Sequence, residues 1–310
     1  MANETAQSNL SPSNNKQGSV VQSRQFKITD IPDAMDKMGW PVSAKLMRHW
    51  FKGRPWDTPD GGMDHDVKKH IAFAPDEFIE ESIVKMSWVM NYARAREKMA
   101  VLEANWNNAN AQIEITAAIL KFVDGKPPGS YPIKFNGLAS KAERFPYFNS
   151  RSVEFNQTGD DDLNDLRGAL ANFNLRVIAE GNVAVLTDSI IFTASTLGFY
   201  VEDSYDFVDD TFWSQPLGFW NFDGIAPSIA SAMATNNGID QMSSASAMYS
   251  MSGNPQAEAR YREIQEARYF LITNGSFAKY RKIQKKGGDF RVFSDIYYKP
   301  LASPVTIKVK

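Results

Sequence analysis

The chain of 310 residues contains no cysteine. This excludes disulfides, thiolate nucleophiles and cysteine-ligated zinc, and it leaves the redox compartment open. Histidine is almost as scarce: His49, His65 and His70 are the whole supply, and none lies in the remaining 240 positions. No excess of one charge exists either. The 34 basic and 36 acidic side chains give a net charge of −2, which argues against bulk attraction to nucleic acid or to an anionic membrane. No run approaches the roughly 18 apolar residues of a spanning helix, so no transmembrane segment is expected. The first residues have neither a basic n-region nor an apolar h-region, so no Sec signal peptide is expected. There is no internal repeat and no G-x-S-x-G, Walker, G-x-G-x-x-G or H-E-x-x-H motif. The cofactor is therefore left unassigned. His65 and His70 are five positions apart, not the i, i+4 spacing of a helical metal pair, and no metal site is expected even with Asp64 and Asp66 beside His65.

What is present divides the chain into stretches of different character. Residues 1–24 are rich in Ser, Asn and Gln and poor in large apolar groups, the composition of a disordered tail. Residues 25–123 read as helical. Pro32 and Pro41 open two short helices, and Trp40, Trp50 and Trp56 offer aromatic packing for a small subdomain. Ile79, Ile83, Met86, Met90 and Ala93 form a stripe at helical spacing, and a second helix carries Ile113, Ala117, Leu120 and Val123 beyond an asparagine-rich break. Residues 124–155, with four prolines, read as an irregular connection. In residues 156–310, Asp160–Asp162 are placed to cap a short helix rather than to bind calcium. Four short strands follow, 175–180, 183–186, 190–193 and 197–207, with a hairpin turn at Gly181–Asn182 and another at Asp188–Ser189. Residues 224–254 carry a single charge, Asp240, and read as a solvent-covered insertion. A helix capped by Asn254–Pro255 and two closing strands complete the chain. The expected fold is α+β: an N-terminal helical part packed on a C-terminal, mainly antiparallel β-sheet.

Two constellations carry possible chemistry. In the stretch 197–221, aromatics lie beside Glu202, Asp203, Asp206, Asp209 and Asp210 with no basic residue among them. Strand alternation puts Asp203 on one face with Phe199, Val201, Tyr205 and Phe207, so its carboxylate points toward the core. A buried carboxylate has a raised pKa, which suits a general acid or base. Asp203, Tyr205 and Asp206 are the catalytic candidates; Asp203 ending the strand in a turn is the structural alternative. The second constellation is the basic tail around Gly287–Gly288–Asp289, where Arg281, Lys286 and Asp289 are candidates for holding an anionic ligand. A solvated charged face is the plainer meaning of that run.

The set Asn274, Phe277, Tyr280–Arg281, Gly287–Gly288–Asp289–Phe290 and Phe293–Ser294–Asp295, with Tyr205–Asp206–Phe207 and Leu217–Gly218–Phe219–Trp220 upstream, resembles the bacterial domain of unknown function 6402 family from about Phe26 to the C-terminus. Such proteins are linked with type VI secretion and polymorphic-toxin loci, and the family has no assigned catalytic residues. A narrower likeness is to colicin M-type bacteriocins, which cleave a peptidoglycan precursor. Asp203, Tyr205 and Asp206 match the D-x-Y-D part of their motif, whereas Phe212 and Trp213 stand where its His-Arg belongs. The resemblance implies an antibacterial effector delivered by a type VI-like machine and acting on the cell envelope, with a secretion-machine component or a cognate immunity protein as partner. The alternative is a non-enzymatic adaptor or structural component of such a system. The residues alone do not decide whether the chain catalyses anything.

Overall fold

The computed structural model describes residues 23–145, 149–156, 163–209, 214–250 and 254–310, the last seven of the fourth segment by backbone only. Residues 1–22 of the expected 1–24 tail, the acids Asp160–Asp162 and Asp210, and the positions Phe212 and Trp213 lie outside the described residues, whereas Arg24, within that expected tail, is ion-paired with Asp30 and lies over the Phe222 ring.

A 3-10 turn leads into α1 (Ile31–Lys37) and α2 (Pro41–Lys52), each with proline in its first turn. Neither N-terminus is capped by its own N-cap side chain. For α2 the cap comes from far along the chain. Asp165, on α8, is buried and accepts from the Val42 and Ser43 amides (3.1 and 2.9 Å) and from Ser43 Oγ (2.7 Å). A carboxylate at a helix N-terminus satisfies orphan amides and complements the dipole.

The continuous helix suggested by the 79–93 stripe is replaced by short pieces. After α3 (His65–Lys68), the stripe is divided among β1 (Ile79–Glu80), α4 (Met86–Val89) and the start of α5 (Ala93–Asn105), and the expected second helix is α6 (Ala109–Val123). Two side chains account for the interruption. Glu80 accepts from the Ser82 and Ile83 amides (2.6 and 2.9 Å), folding the chain into a turn. Asp295 then caps α4 by accepting from Met86 N at 2.7 Å. The asparagine break is where the sequence places it, with Asn108 as the N-cap of α6.

Residues 124–155 supply β2 (Gly129–Ile133), α7 (Ala139–Arg144) and β3 (Asn149–Val153), so the proline-rich stretch contributes to the sheet instead of merely linking two halves. After α8 (Asp165–Leu170) come two long strands, β4 (Phe173–Val185) and β5 (Ile190–Tyr205), in place of four short ones. Gly181 does not turn the chain. It sits at a bulge between Glu180 and Gly181, where a Cβ would lie 2.1 Å from the Thr193 carbonyl oxygen. Its role is close approach, which Asn-Gly or Gly-Asn patterns do not distinguish from a hairpin. The hairpin that does form joins β4 to β5 through residues 186–189.

β6 (Pro216–Asn221) and β7 (Gly224–Ile225) precede α9 (Ile229–Ser250), which with α10 (Pro255–Glu266) makes a helical hairpin out of the weakly charged stretch. Asn254 caps α10 as expected. β8 (Phe270–Thr273), α11 (Asn274–Gln284), β9 (Phe290–Phe293) and β10 (Tyr297–Lys308) close the chain.

The architecture is α+β. The main sheet runs β1-β9-β5-β4-β2, with β10 also beside β5 and β3 also beside β4. All its pairings are antiparallel except the short β1–β9 contact. A second sheet has the order β7-β6-β8. The helical part packs on the strands: α5 lies against β3 and β4, α4 against β5, and α2 against α8. One apolar cluster extends from Phe26 to Ile307, so both parts share a core.

Candidate functional site

The end of β5 is where the sequence candidates meet the structure, and the pleat divides them. Val201, Asp203 and Tyr205 share one face of β5, and Tyr205 reaches α2. Tyr205 is buried, stacks on Phe290 (5.0 Å) and points its hydroxyl at Met47 Sδ (3.8 Å). Asp203 lies on that same apolar side, as alternation requires. Burial pushes its carboxyl well above the usual range, helped by the charge of Glu202, and pushes the Tyr205 phenol up as well. Asp206 lies beyond the strand and bonds Lys68 Nζ at 3.1 Å. Asp203 and Tyr205 are thus brought together, whereas Asp206 is engaged by a different element. Phe207 stacks face to face on Phe277 at 3.8 Å, next to Trp50.

The tail constellation is brought together too, but inward. Asp289 is fully buried. Its carboxylate is ion-paired with Arg281 and accepts from Trp50 Nε1 (2.7 Å) and Met63 N (2.9 Å). Its carbonyl accepts from Trp56 Nε1 at 2.7 Å. Arg281 also donates to the Gly287 carbonyl (2.8 Å) and lies over the Trp50 ring. Gly288 must be glycine, because a Cβ would stand 2.1 Å from the Arg54 carbonyl oxygen. Of the three expected ligand holders, Arg281 and Asp289 hold each other, and only Lys286 faces solvent. The rest of the Phe293–Ser294–Asp295 pattern is similarly structural: Ser294 Oγ accepts from Val201 N (2.8 Å), and Asp295 caps α4.

The other face of β5 carries a charged cluster with an opening to solvent. Glu202 is 1% exposed and bridges two arginines, Arg176 on β4 (2.7 Å) and Arg291 on β9. Arg176 also pairs with Glu143 on α7, which accepts from the Tyr200 hydroxyl at 2.9 Å. Asn174 donates to Glu202 (3.1 Å), and Arg291 donates to Ser204 Oγ. Two buried cations thus answer two carboxylates, the arrangement that makes burial of charge tolerable.

The chain immediately after α3 reaches this cluster. His70 takes the left-handed conformation (φ +60°) at the C-terminal turn of α3, with its amide on the Val67 carbonyl. Glycine or asparagine is the usual occupant of such a position. Here the backbone turn aims an imidazole at Arg291, whose Nη2 lies 3.1 Å from His70 Nδ1. Burial lowers the His70 pKa; Glu202 opposes this and the Arg291 and Arg176 charges add to it. The residue lines a small solvent-open cleft of about 40 Å³ together with Phe73, Ser140, Glu143, Arg144 and Arg291. Phe73 leaves an apolar lip, 57% exposed.

Sequence reasoning named Glu202 but passed over His70, Glu143, Arg176 and Arg291. They come from four separate elements, and the one available signal was a histidine where a helix-ending glycine would be ordinary. Among the described residues, no group of three or more His, Cys, Asp or Glu is placed to hold a metal ion. Asp64, beside His65, caps α3 through the Asp66 and Val67 amides. No helix among the described residues is long and apolar enough to cross a membrane.

The fold and this cleft define an α+β protein with a buried arginine–glutamate cluster behind an exposed histidine. Residues 26–309 match the model of a family of unknown function, DUF6402, and the chain belongs to that family. No curated protein and no solved structure matches the chain.

Proposed function

We propose that this protein is an antibacterial effector, delivered by a type VI-like secretion machine, that acts on a cell-envelope target through the His70 cleft. The observation that carries the reading is the imidazole held in a left-handed backbone against Arg291 at the mouth of a cleft. Conformations of this kind cost about 1–3 kcal/mol and concentrate at functional sites. The route of delivery and the envelope target rest on the motif resemblance, as do a secretion-machine component and a cognate immunity protein as partners. Asp203 with Tyr205 is a second proposed catalytic pair, on the opposite face of β5.

The test is expression with and without an added periplasmic signal. Growth arrest is expected with the signal and not without it. His70→Asn suits a left-handed position and should abolish arrest, through a loss of roughly 100-fold or more in activity, while the melting temperature is kept. Asp203→Asn on the same preparation decides the second pair. An absence of toxicity in either compartment ends the effector reading. It would favour the adaptor alternative, which has its own support in the weakly charged α9, with Ile229, Met233 and Met242 exposed.

A further inference from the structure

The geometry points to a ligand class for the His70 cleft: we propose that it binds a neutral carbonyl group, an amide or an ester flanked by an apolar group, with His70 Nε2–H donating to the carbonyl oxygen. This rests on the reading of that cleft as the functional site.

The argument begins at Arg291. A guanidinium has only donors, so the His70 Nδ1 facing Arg291 Nη2 at 3.1 Å must accept. A neutral imidazole accepting at Nδ1 carries its proton on Nε2. Protonating Nδ1 as well would set a second cation's N–H against the guanidinium, so the ring stays neutral, in line with its lowered pKa. His70 is thereby fixed as a neutral donor. It presents no lone pair to the cleft, and a group that meets it there must be an acceptor.

The acceptor's charge follows from the surrounding groups. Around the ring, Arg291 and Arg176 are matched by Glu202 and Glu143. Arg144, at the rim, is answered by Asp76 at 2.7 Å. Three cations meet these three carboxylates, and Glu81 adds a fourth by accepting from the amide of cleft-lining Ser140 at 3.3 Å, so the site supplies no net positive field to repay desolvation of a phosphate or carboxylate. A neutral carbonyl loses far less on leaving water and gains one donor. Beside it, Phe73 and Ala72 offer apolar surface for the flanking group.

The test is ¹⁵N NMR of the imidazoles in the full chain. Only three histidines are present, and His70→Asn identifies the signal. The expected spectrum has His70 as the neutral Nε2–H tautomer, protonating only below the ordinary 6.5. Titration with N-acetyl-leucinamide should shift that signal saturably. Acetyl-leucine carboxylate and inorganic phosphate should act at least about tenfold more weakly, a difference of about 1.4 kcal/mol. Arg291→Lys keeps the charge but loses the planar fork, and should release a mixture of tautomers. An Nδ1–H tautomer, an imidazolium at neutral pH, a stronger response to phosphate, or a flat response to all three probes overturns the assignment. A protein that shows the tautomer and the amide response but no toxicity would leave this assignment standing and end the effector reading.

Discussion

Asp203 is the residue at which burial and charge are least reconciled. Its carboxyl sits on the apolar face of β5, with Glu202 next in sequence adding repulsion, and its pKa is well above the ordinary 3.8. The folded state therefore holds this proton more tightly than the unfolded chain does. Stability contributed by that proton is present at low pH and is lost as pH rises through the raised value. Asp289 acts in the same direction: burial raises it to about 6, against the pull of Arg281 and Trp50. His70 acts in the opposite direction, because its lowered pKa means that the unfolded chain takes up the proton first as pH falls below 6.5. Asp203→Asn separates the terms, since it removes one carboxylate and keeps its shape. The variant is expected to be more stable than the parent at about pH 8, with the difference shrinking toward about pH 4. Thermal unfolding of both proteins across that range is the measurement, and a variant less stable at every pH would show the charged form to be the favoured one.

At the scale of elements, α2 depends on a residue 122 positions away, the Asp165 carboxylate that takes the Ser43 amide and hydroxyl. Asp165→Ala leaves two amides and a hydroxyl buried without that acceptor. We expect a loss of about 2–3 kcal/mol, read from denaturant unfolding, with Asp165→Asn recovering part of it. A change below about 0.5 kcal/mol, as at ordinary surface sites, would mean that water or a neighbour replaces the cap. Such long-range links mark the limit of sequence reading. Elements whose signal is local were legible: the proline-started α1 and α2, the asparagine break before α6, the Asn254 cap, the strand content of 173–205 and the closing strands. The 79–93 stripe misled because Ile79, Ile83 and Met86 pack against the core from a strand, a turn and a short helix respectively, and because Glu80 and Asp295 supply the acceptors that a continuous helix would have supplied. Gly181–Asn182 misled because glycine serves close approach as readily as a turn. At the site, alternation placed Asp203 beside Tyr205 correctly, but nothing local links His70 to Arg291 across 221 positions.

For the whole molecule, the question is whether the helical part and the sheet part unfold together. Three links tie them. The apolar cluster crosses from Phe26 to Ile307. Asp165 holds the start of α2 from α8. Asp289, next to β9, bonds Trp50 at the end of α2 and both Trp56 and Met63 in the segment that follows. Chains of more than about 150 residues often unfold in steps, but here these three links join the two parts. We therefore expect one transition in calorimetry, with calorimetric and van't Hoff enthalpies equal. Asp289→Ala is the stringent form of the test. It leaves the Arg281 charge, an indole N–H and an amide buried together, at a cost of about 3–5 kcal/mol. If the parts are one cooperative unit, that loss should move the single transition to lower temperature as seen both by tryptophan fluorescence, five of whose seven reporters (Trp40, Trp50, Trp56, Trp88 and Trp106) lie in the helical part, and by far-ultraviolet circular dichroism, which reports on the sheet and helices alike. If the variant instead shows fluorescence changing first while the circular dichroism of the sheet persists, the region around α2 is a separate unit docked on the strands, and the shared core contributes less than its extent implies.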